Sequence, residues 1–101
     1  MTEVTKKEIS IEALLRGLVK HRASDLHLKP GRPPLYRVSG ELVPTKLPEL
    51  TAEHVKQLAY SIMTNKQKAE FERDLQIDFG YTIPSLSRFR ANVFNQKTSV
   101  S

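Results

Sequence analysis

The sequence contains no cysteine, only four glycines and only three histidines among its 101 residues. The absence of cysteine excludes disulfides, thiolate zinc sites and a cysteine nucleophile. The histidines form neither an HxxxH nor an HExxH pair, so we expect no metal site. No apolar run approaches the ~20 residues of a membrane-spanning helix. The first seven residues lead into no apolar segment of the kind that marks a secretory signal.

The glycines are too scattered to build a phosphate-binding loop. They stand at positions 17, 31, 40 and 80, which fit neither GxxxxGK[ST] nor GxGxxG. No pair of carboxylates is placed for acid–base chemistry. We therefore expect no catalytic residue and no cofactor in this chain, and no ATP hydrolysis by the chain alone.

The charge balance points to an anionic partner. Sixteen basic and eleven acidic residues give a net charge of +5. Such a surplus is typical of proteins that meet nucleic acid, anionic lipid or nucleotide phosphate. The basic residues are scattered in short pairs, however, and most of them fit an ordinary solvated surface. With 39% hydrophobic residues, the chain has enough apolar material for one folded domain.

Three helices are predicted from caps and apolar spacing. Ser10 precedes a first apolar stripe, and Thr51 precedes a second. Thr64 and Gln67 have the spacing of a capping box, which begins a short polar helix with Phe71 as its one large anchor. The stripes themselves consist of Ile11, Leu14, Leu15 and Leu18 in the first helix, and of Val55, Leu58, Ala59, Ile62 and Met63 in the second.

Alternating polar and apolar residues predict the strands. Ser39-Gly40 fits a two-residue hairpin turn. The order α, β, β, β, α, α, β, β indicates an α+β fold, an antiparallel sheet with helices packed on one face. We expect a flexible lead-in over residues 1–9 and one domain over residues 10–101. The predicted strands cover residues 25–29, 35–38, 41–43, 75–83 and 88–96.

Two arginines are the most informative local feature. Arg88 and Arg90 lie on one face of the last predicted strand, roughly 7 Å apart. Two neighbouring guanidiniums repel each other unless an anion lies between them. On the residues alone, a solvated strand edge, or a salt bridge to Asp25 or Asp78, explains the pair slightly better than an anion site.

A catalytic triad is not expected in the first strand. Asp25 and His27 share a strand face, but Ser24 should point away from both, and a triad needs its base within ~3 Å of the nucleophile. We interpret Asp25 and His27 as residues that hydrogen-bond to a neighbouring strand or loop.

Four segments together resemble the N-terminal domain of type IV pilus retraction ATPases, the PilT-like twitching motility proteins of the secretion ATPase superfamily. They occur in family order and at family spacing. One position departs from the pattern, because Ser39 stands where the family usually has Asp before the hairpin glycine. The segments are ASDLHL (23–28), GRPPLYRVSGEL (31–42), IMTNKQ (62–67) and SRFRANVFNQ (87–96).

This resemblance implies a PAS-like domain that precedes a RecA-like motor domain, with the present chain ending before that motor domain. The parent would be a cytoplasmic homohexamer, peripheral to the inner membrane at the pilus base. It would bind ATP or ADP with magnesium and use ATP to depolymerise the pilus. Its partners would be RecA-like motor domains of the same or a neighbouring subunit and the inner-membrane platform protein. Neither nucleic-acid binding nor membrane insertion is implied.

The resemblance also assigns roles to residues. Arg90 and Arg88 match family arginines that contact nucleotide phosphates. Such arginines either stabilise charge as the γ-phosphate leaves or only position the two domains, and we favour positioning. Arg90 comes first, because Arg88 lies nearer the turn and could pair with a carboxylate instead. Four further positions are interface or structural polar residues, namely Asp25, His27, Arg37 and Asn92.

Two other functions remain open. A small basic nucleic-acid-binding domain would explain the net charge and the placement of Phe94 on the same strand face as the arginines. No second aromatic residue falls on that face, and salt-dependent binding of single-stranded DNA would distinguish this function. A small-molecule sensor is the third hypothesis, although the inward residues fit an ordinary filled core.

Overall fold

The computed structural model describes residues 10–84 and 87–95. The predicted lead-in over residues 1–9 and the end of the last predicted strand lie outside this range. The helices are α1 (Ile11–Lys20), α2 (Ala52–Tyr60) and α3 (Asn65–Asp74). The strands are β1 (Asp25–Leu28), β2 (Leu35–Val38), β3 (Glu41–Pro44), β4 (Gln76–Ile83) and β5 (Ser87–Phe94).

Each helix begins at the cap that the sequence predicts. The side chains of Ser10 and Thr51 accept hydrogen bonds from backbone N–H groups in the first turn of α1 and α2. At α3 both halves of the capping box form, because Thr64 accepts from the Gln67 N–H and the Gln67 side chain accepts from the Thr64 N–H. The caps satisfy N–H groups that have no partner inside a helix.

The five strands form one sheet in the order β3-β2-β1-β5-β4. The α+β class is confirmed. One pairing departs from the predicted antiparallel sheet, since β1 and β5 run parallel while the other three pairs are antiparallel. Parallel neighbours need a long crossover. Here the chain between β1 and β5 contains three strands and both α2 and α3, and this length returns β5 beside β1 in the same direction.

The core lies between the helices and one face of the sheet. Leu14 and Leu18 of α1 are buried there, as is Phe71 of α3. The strands contribute alternate residues to the same core, namely Leu26, Leu28, Ile77, Phe79, Phe89, Ala91 and Val93. The intervening strand residues point to the opposite face, called the open face below, which carries most of the candidate site residues.

Left-handed backbone conformations occur at a predicted turn and at a helix end. Ser39 (φ 52°) and Gly40 (φ 86°) form the predicted hairpin turn between β2 and β3. Leu75 (φ 61°) caps α3, and its N–H donates to the Phe71 carbonyl. The sequence pattern placed Leu75 in a strand. That was wrong by one residue, because the helix end takes its backbone and β4 begins at Gln76.

Candidate functional site

The strand register brings the predicted site residues into two rows on the open face. Directly opposite residues of neighbouring strands share a face. The first row runs across four strands and consists of Arg37, Asp25, Arg90 and Gly80. The second row lies beside it and consists of Leu35, His27, Asn92 and Asp78. Arg88 lies opposite Thr82, next to the first row.

Arg90 is paired with a buried carboxylate. Its Nε and Nη2 atoms donate to Oδ2 of Asp25 at 3.3 and 3.2 Å. The Arg90 side chain is 63% exposed, whereas Asp25 is only 6% exposed. Of the two carboxylates that the sequence offered as partners, the structure selects Asp25. The buried carboxylate of Asp25 thus fixes the Arg90 guanidinium, while the rest of that side chain remains exposed to solvent.

Asp25 stays ionised because it has strong partners. Burial acts to raise its pKa, but the hydrogen bonds from Ser24 and Arg90 and the charge of Arg90 outweigh burial, so the pKa lies below its usual value. The Ser24 hydroxyl donates to Oδ1 at 2.7 Å. Both carboxylate oxygens of Asp25 therefore accept hydrogen bonds.

The expectation that Ser24 points away from Asp25 was wrong. Ser24 precedes β1, where strict alternation need not hold, and its hydroxyl turns to the carboxylate. The contacts of these three residues still do not form a catalytic triad. Asp25 lies between Ser24 and His27, whereas a nucleophilic serine needs the imidazole as its neighbour.

His27 is a half-buried neutral residue. Its Nε2 atom is buried without a hydrogen-bond partner in the described structure and lies 4.0 Å from Oδ2 of Asp25. Burial lowers the pKa of the imidazole and outweighs the attraction of Asp25. His27 therefore carries no charge at neutral pH, so the imidazole adds no positive charge to the open face.

The Arg88 side chain lies against Gly80 of the neighbouring strand. Its Nη1 atom donates to Oγ1 of Thr82 at 3.1 Å. A Cβ atom at Gly80 would be 2.7 Å from Nη2 of Arg88, which is closer than real contacts allow. Gly80 therefore provides the space in which the guanidinium rests. Sequence reasoning missed this role, because a glycine inside an alternating strand gives only a general signal of close approach.

Arg37 and Asn92 contact protein groups near them. The Arg37 guanidinium donates to the Gly40 carbonyl at 3.1 Å and thus spans the hairpin turn. The Asn92 side-chain amide donates to Oδ1 of Asp78 at 3.2 Å on the neighbouring strand. Both residues help to order the sheet around the arginine pair.

This arrangement is suited to binding an anion. Arg88 and Arg90 are both exposed on one face of β5, and guanidiniums bind phosphate or carboxylate oxygens through charge-assisted hydrogen bonds. Within residues 10–84 and 87–95, no group of three or more His, Asp or Glu side chains could hold a metal ion. In the same ranges no helix is both long and apolar enough to cross a membrane.

Comparisons with known proteins agree with one another. The chain is 44% identical over 88 residues to the type IV pilus retractation ATPase PilT of Pseudomonas aeruginosa, a match that covers 87% of this chain and 26% of that protein. It is 37% identical over 62 residues to a twitching motility protein of Neisseria gonorrhoeae, covering 61% of this chain and 17% of that protein. No protein-family model matches the sequence.

Solved structures give the same relationship. A crystal structure of the pilus retraction motor PilT with bound ADP matches with a TM-score of 0.70 and 37% sequence identity. The match covers 91% of this chain and 27% of that chain. The chain thus spans about a quarter of the length of the PilT proteins that it matches.

Proposed function

Because this chain is a segment of a PilT-like type IV pilus retraction ATPase, we propose that its arginine pair contacts nucleotide held by the motor domain. The chain corresponds to the N-terminal module of such a motor. In the proposed parent, a RecA-like domain of the same or a neighbouring subunit binds ATP or ADP with magnesium. The module then contributes subunit contacts and two phosphate-sensing arginines.

The observation that carries this proposal is the exposure of Arg88 and Arg90 on one face of β5, each with its guanidinium held by a protein group. Arg90 is fixed by Asp25, and Arg88 is fixed by Thr82 over Gly80. Fixed donors lose little side-chain entropy when an anion binds. A related motor structure was solved with bound ADP, and this supports a nucleotide as the anion.

The contacts of the two arginines lead us to rank them differently as phosphate ligands. Sequence reasoning ranked Arg90 first, because Arg88 could pair with a carboxylate. In the structure Arg90 has the carboxylate partner, and Arg88 donates to the neutral hydroxyl of Thr82. A guanidinium that donates only to a neutral hydroxyl keeps its charge available for a phosphate, whereas the charge of Arg90 is already compensated by Asp25. We therefore assign the main phosphate contact to Arg88 and a supporting contact to Arg90.

The proposed parent is a homohexamer in the cytoplasm, at the inner membrane beneath the pilus. There it binds the platform protein and uses ATP to depolymerise the filament. The module positions the motor domain around nucleotide and does no chemistry itself. Its arginines favour the closed arrangement of the two domains while nucleotide is bound.

The test is alanine substitution in the full-length protein. Arg88→Ala should weaken ATP binding about tenfold, the loss of one charge-assisted contact, and Arg90→Ala should weaken it less. Hexamer mass should stay unchanged. Arg73→Ala is the matched control, since Arg73 is an exposed arginine on α3 that pairs with Asp74. If both open-face variants keep wild-type ATP affinity and turnover, the phosphate role is wrong.

A further inference from the structure

The open face holds a second feature beside the arginine pair, a groove of about 420 Å³. It crosses the sheet from the β2–β3 hairpin to β5. Its apolar lining includes Leu35 of β2, Leu42 and Pro44 of β3, and Phe94 of β5. Neither Arg88 nor Arg90 belongs to the lining, so this groove is separate from the proposed phosphate site.

The charges in the groove are of one sign. Lys29 and Arg32 belong to its lining, and no carboxylate is found among the lining residues that the structure describes. Within the described residues, neither cation forms an ion pair. Lys29 instead lies 5.5 Å from the centre of the Phe94 ring, where the ring attracts its charge. The groove thus offers two positive charges without neutralising partners in the described part of the chain.

The groove also contains apolar surface that is left exposed. Leu42 is 44% exposed and Phe94 is 40% exposed, and both line the groove. They are two of the three large apolar side chains that stand exposed in the described chain. Leu42 lies on β3, an edge strand of the sheet whose residues are all exposed. Exposed apolar side chains grouped in a concave surface are typical of a binding site.

We propose that this groove binds a short segment of another protein chain in which large apolar residues are flanked by Asp or Glu. The apolar residues pack between Leu42 and Phe94. The acidic residues pair with Lys29 and Arg32. Complementary charge selects the partner, and apolar contact supplies most of the affinity. This inference does not depend on nucleotide binding by Arg88 and Arg90.

The probe is the acetylated and amidated hexapeptide Glu-Glu-Leu-Phe-Glu-Glu, titrated into the ¹⁵N-labelled 101-residue chain. We expect saturable amide shifts at the groove residues and not on α1. Two control peptides share the design, one with Lys in place of Glu and one with Ser in place of Leu and Phe. Both should bind at least about tenfold more weakly, because each removes one of the two kinds of contact.

Two variants test the residues. Lys29→Glu combined with Arg32→Glu should weaken binding of the acidic peptide about tenfold, since two attractive contacts become repulsive. Leu42→Ser should weaken it as well, and this side chain is exposed enough to be replaced without unfolding the chain. Lys66→Glu is the matched control. Lys66 is exposed in the first turn of α3, where an acidic residue suits the helix N-terminus.

Three results would overturn the proposal. They are the absence of binding to the wild-type chain, equal binding of the lysine peptide, and unchanged affinity in both groove variants. Oligothymidylate serves as the competing probe. If it shifts the same residues at lower concentration than the acidic peptide, the groove is a nucleic-acid site and the proposal is wrong.

Discussion

Asp25 organises the open face at the scale of single residues. It is buried beneath an exposed guanidinium, and its two oxygens accept hydrogen bonds from Ser24 and Arg90. A carboxylate held in this way fixes the direction of the arginine above it. The sequence offered Asp25 as one of two carboxylate partners, since alternation reveals which face a residue occupies but not which strand lies next to it.

The ion pair at Asp25 should make stability depend on pH. The folded-state pKa of Asp25 lies below 3.8, its value in an unfolded chain. Its contribution is therefore nearly complete above about pH 5 and is lost as the pH falls through the folded value. Asp25→Asn should reduce the free energy of unfolding by about 1–2 kcal/mol at pH 7. The difference from wild type should shrink at pH 3.

Urea denaturation at pH 7 and pH 3 measures this effect. Asp78→Asn is the matched control on the same face, because Asp78 accepts from the neutral amide of Asn92 and not from an arginine. Its substitution should change stability by less than about 0.5 kcal/mol. A loss at Asp25 that is equally large at both pH values would contradict the ion-pair interpretation.

Gly80 should control the position of Arg88. Gly80→Ala places a methyl group where the Arg88 guanidinium lies, so the side chain must move and its hydrogen bond to Thr82 breaks. Stability should change by less than about 1 kcal/mol, because alanine suits a strand better than glycine and offsets the lost bond. In the full-length protein, ATP affinity should fall toward the value for Arg88→Ala.

A double-mutant cycle tests this coupling. If Gly80 acts through Arg88, the variant that combines Gly80→Ala and Arg88→Ala should bind ATP no more weakly than Arg88→Ala alone. Additive losses would show that Gly80 acts by another route. Wild-type affinity in Gly80→Ala would show that the resting position of Arg88 does not matter for nucleotide.

At the scale of elements, local signals determined which helices and strands form. Each helix begins at a predicted cap, and each strand coincides with a segment of alternating polar and apolar residues. The signals are reliable here because a cap and its first turn are close in sequence and satisfy each other's hydrogen bonds. The boundary at Leu75 was missed because alternation alone does not reveal a left-handed helix cap.

The helix α3 should depend on its capping box. It buries only Phe71 and is otherwise polar, so little tertiary packing supports its first turn. Thr64→Ala should cost about 1 kcal/mol and lower the melting temperature by ~4–8 °C. Ser61→Ala is the control, since Ser61 is an exposed hydroxyl nearby that bonds to the Gln57 carbonyl. Equal melting temperatures for the two variants would contradict the role of the cap.

At the scale of the whole molecule, the order of the strands was the part that the sequence left open. Hairpins are local and were predicted, but the parallel pairing of β1 with β5 joins segments more than 60 residues apart. That pairing places Asp25 opposite Arg90 and brings His27 beside Asn92. The arginine pair was visible in the sequence, whereas the partner of Arg90 and the groove beside the pair depend on this long-range contact.

A structure of the full-length protein with a non-hydrolysable ATP analogue tests the arginine role most directly. The quantity to measure is the distance from the guanidinium nitrogens of Arg88 and Arg90 to the nearest phosphate oxygen. We predict that a guanidinium nitrogen of Arg88 lies about 2.7–2.9 Å from a phosphate oxygen, as in charge-assisted pairs. A nucleotide-bound hexamer in which both arginines lie beyond hydrogen-bond distance of any phosphate would contradict the proposed function.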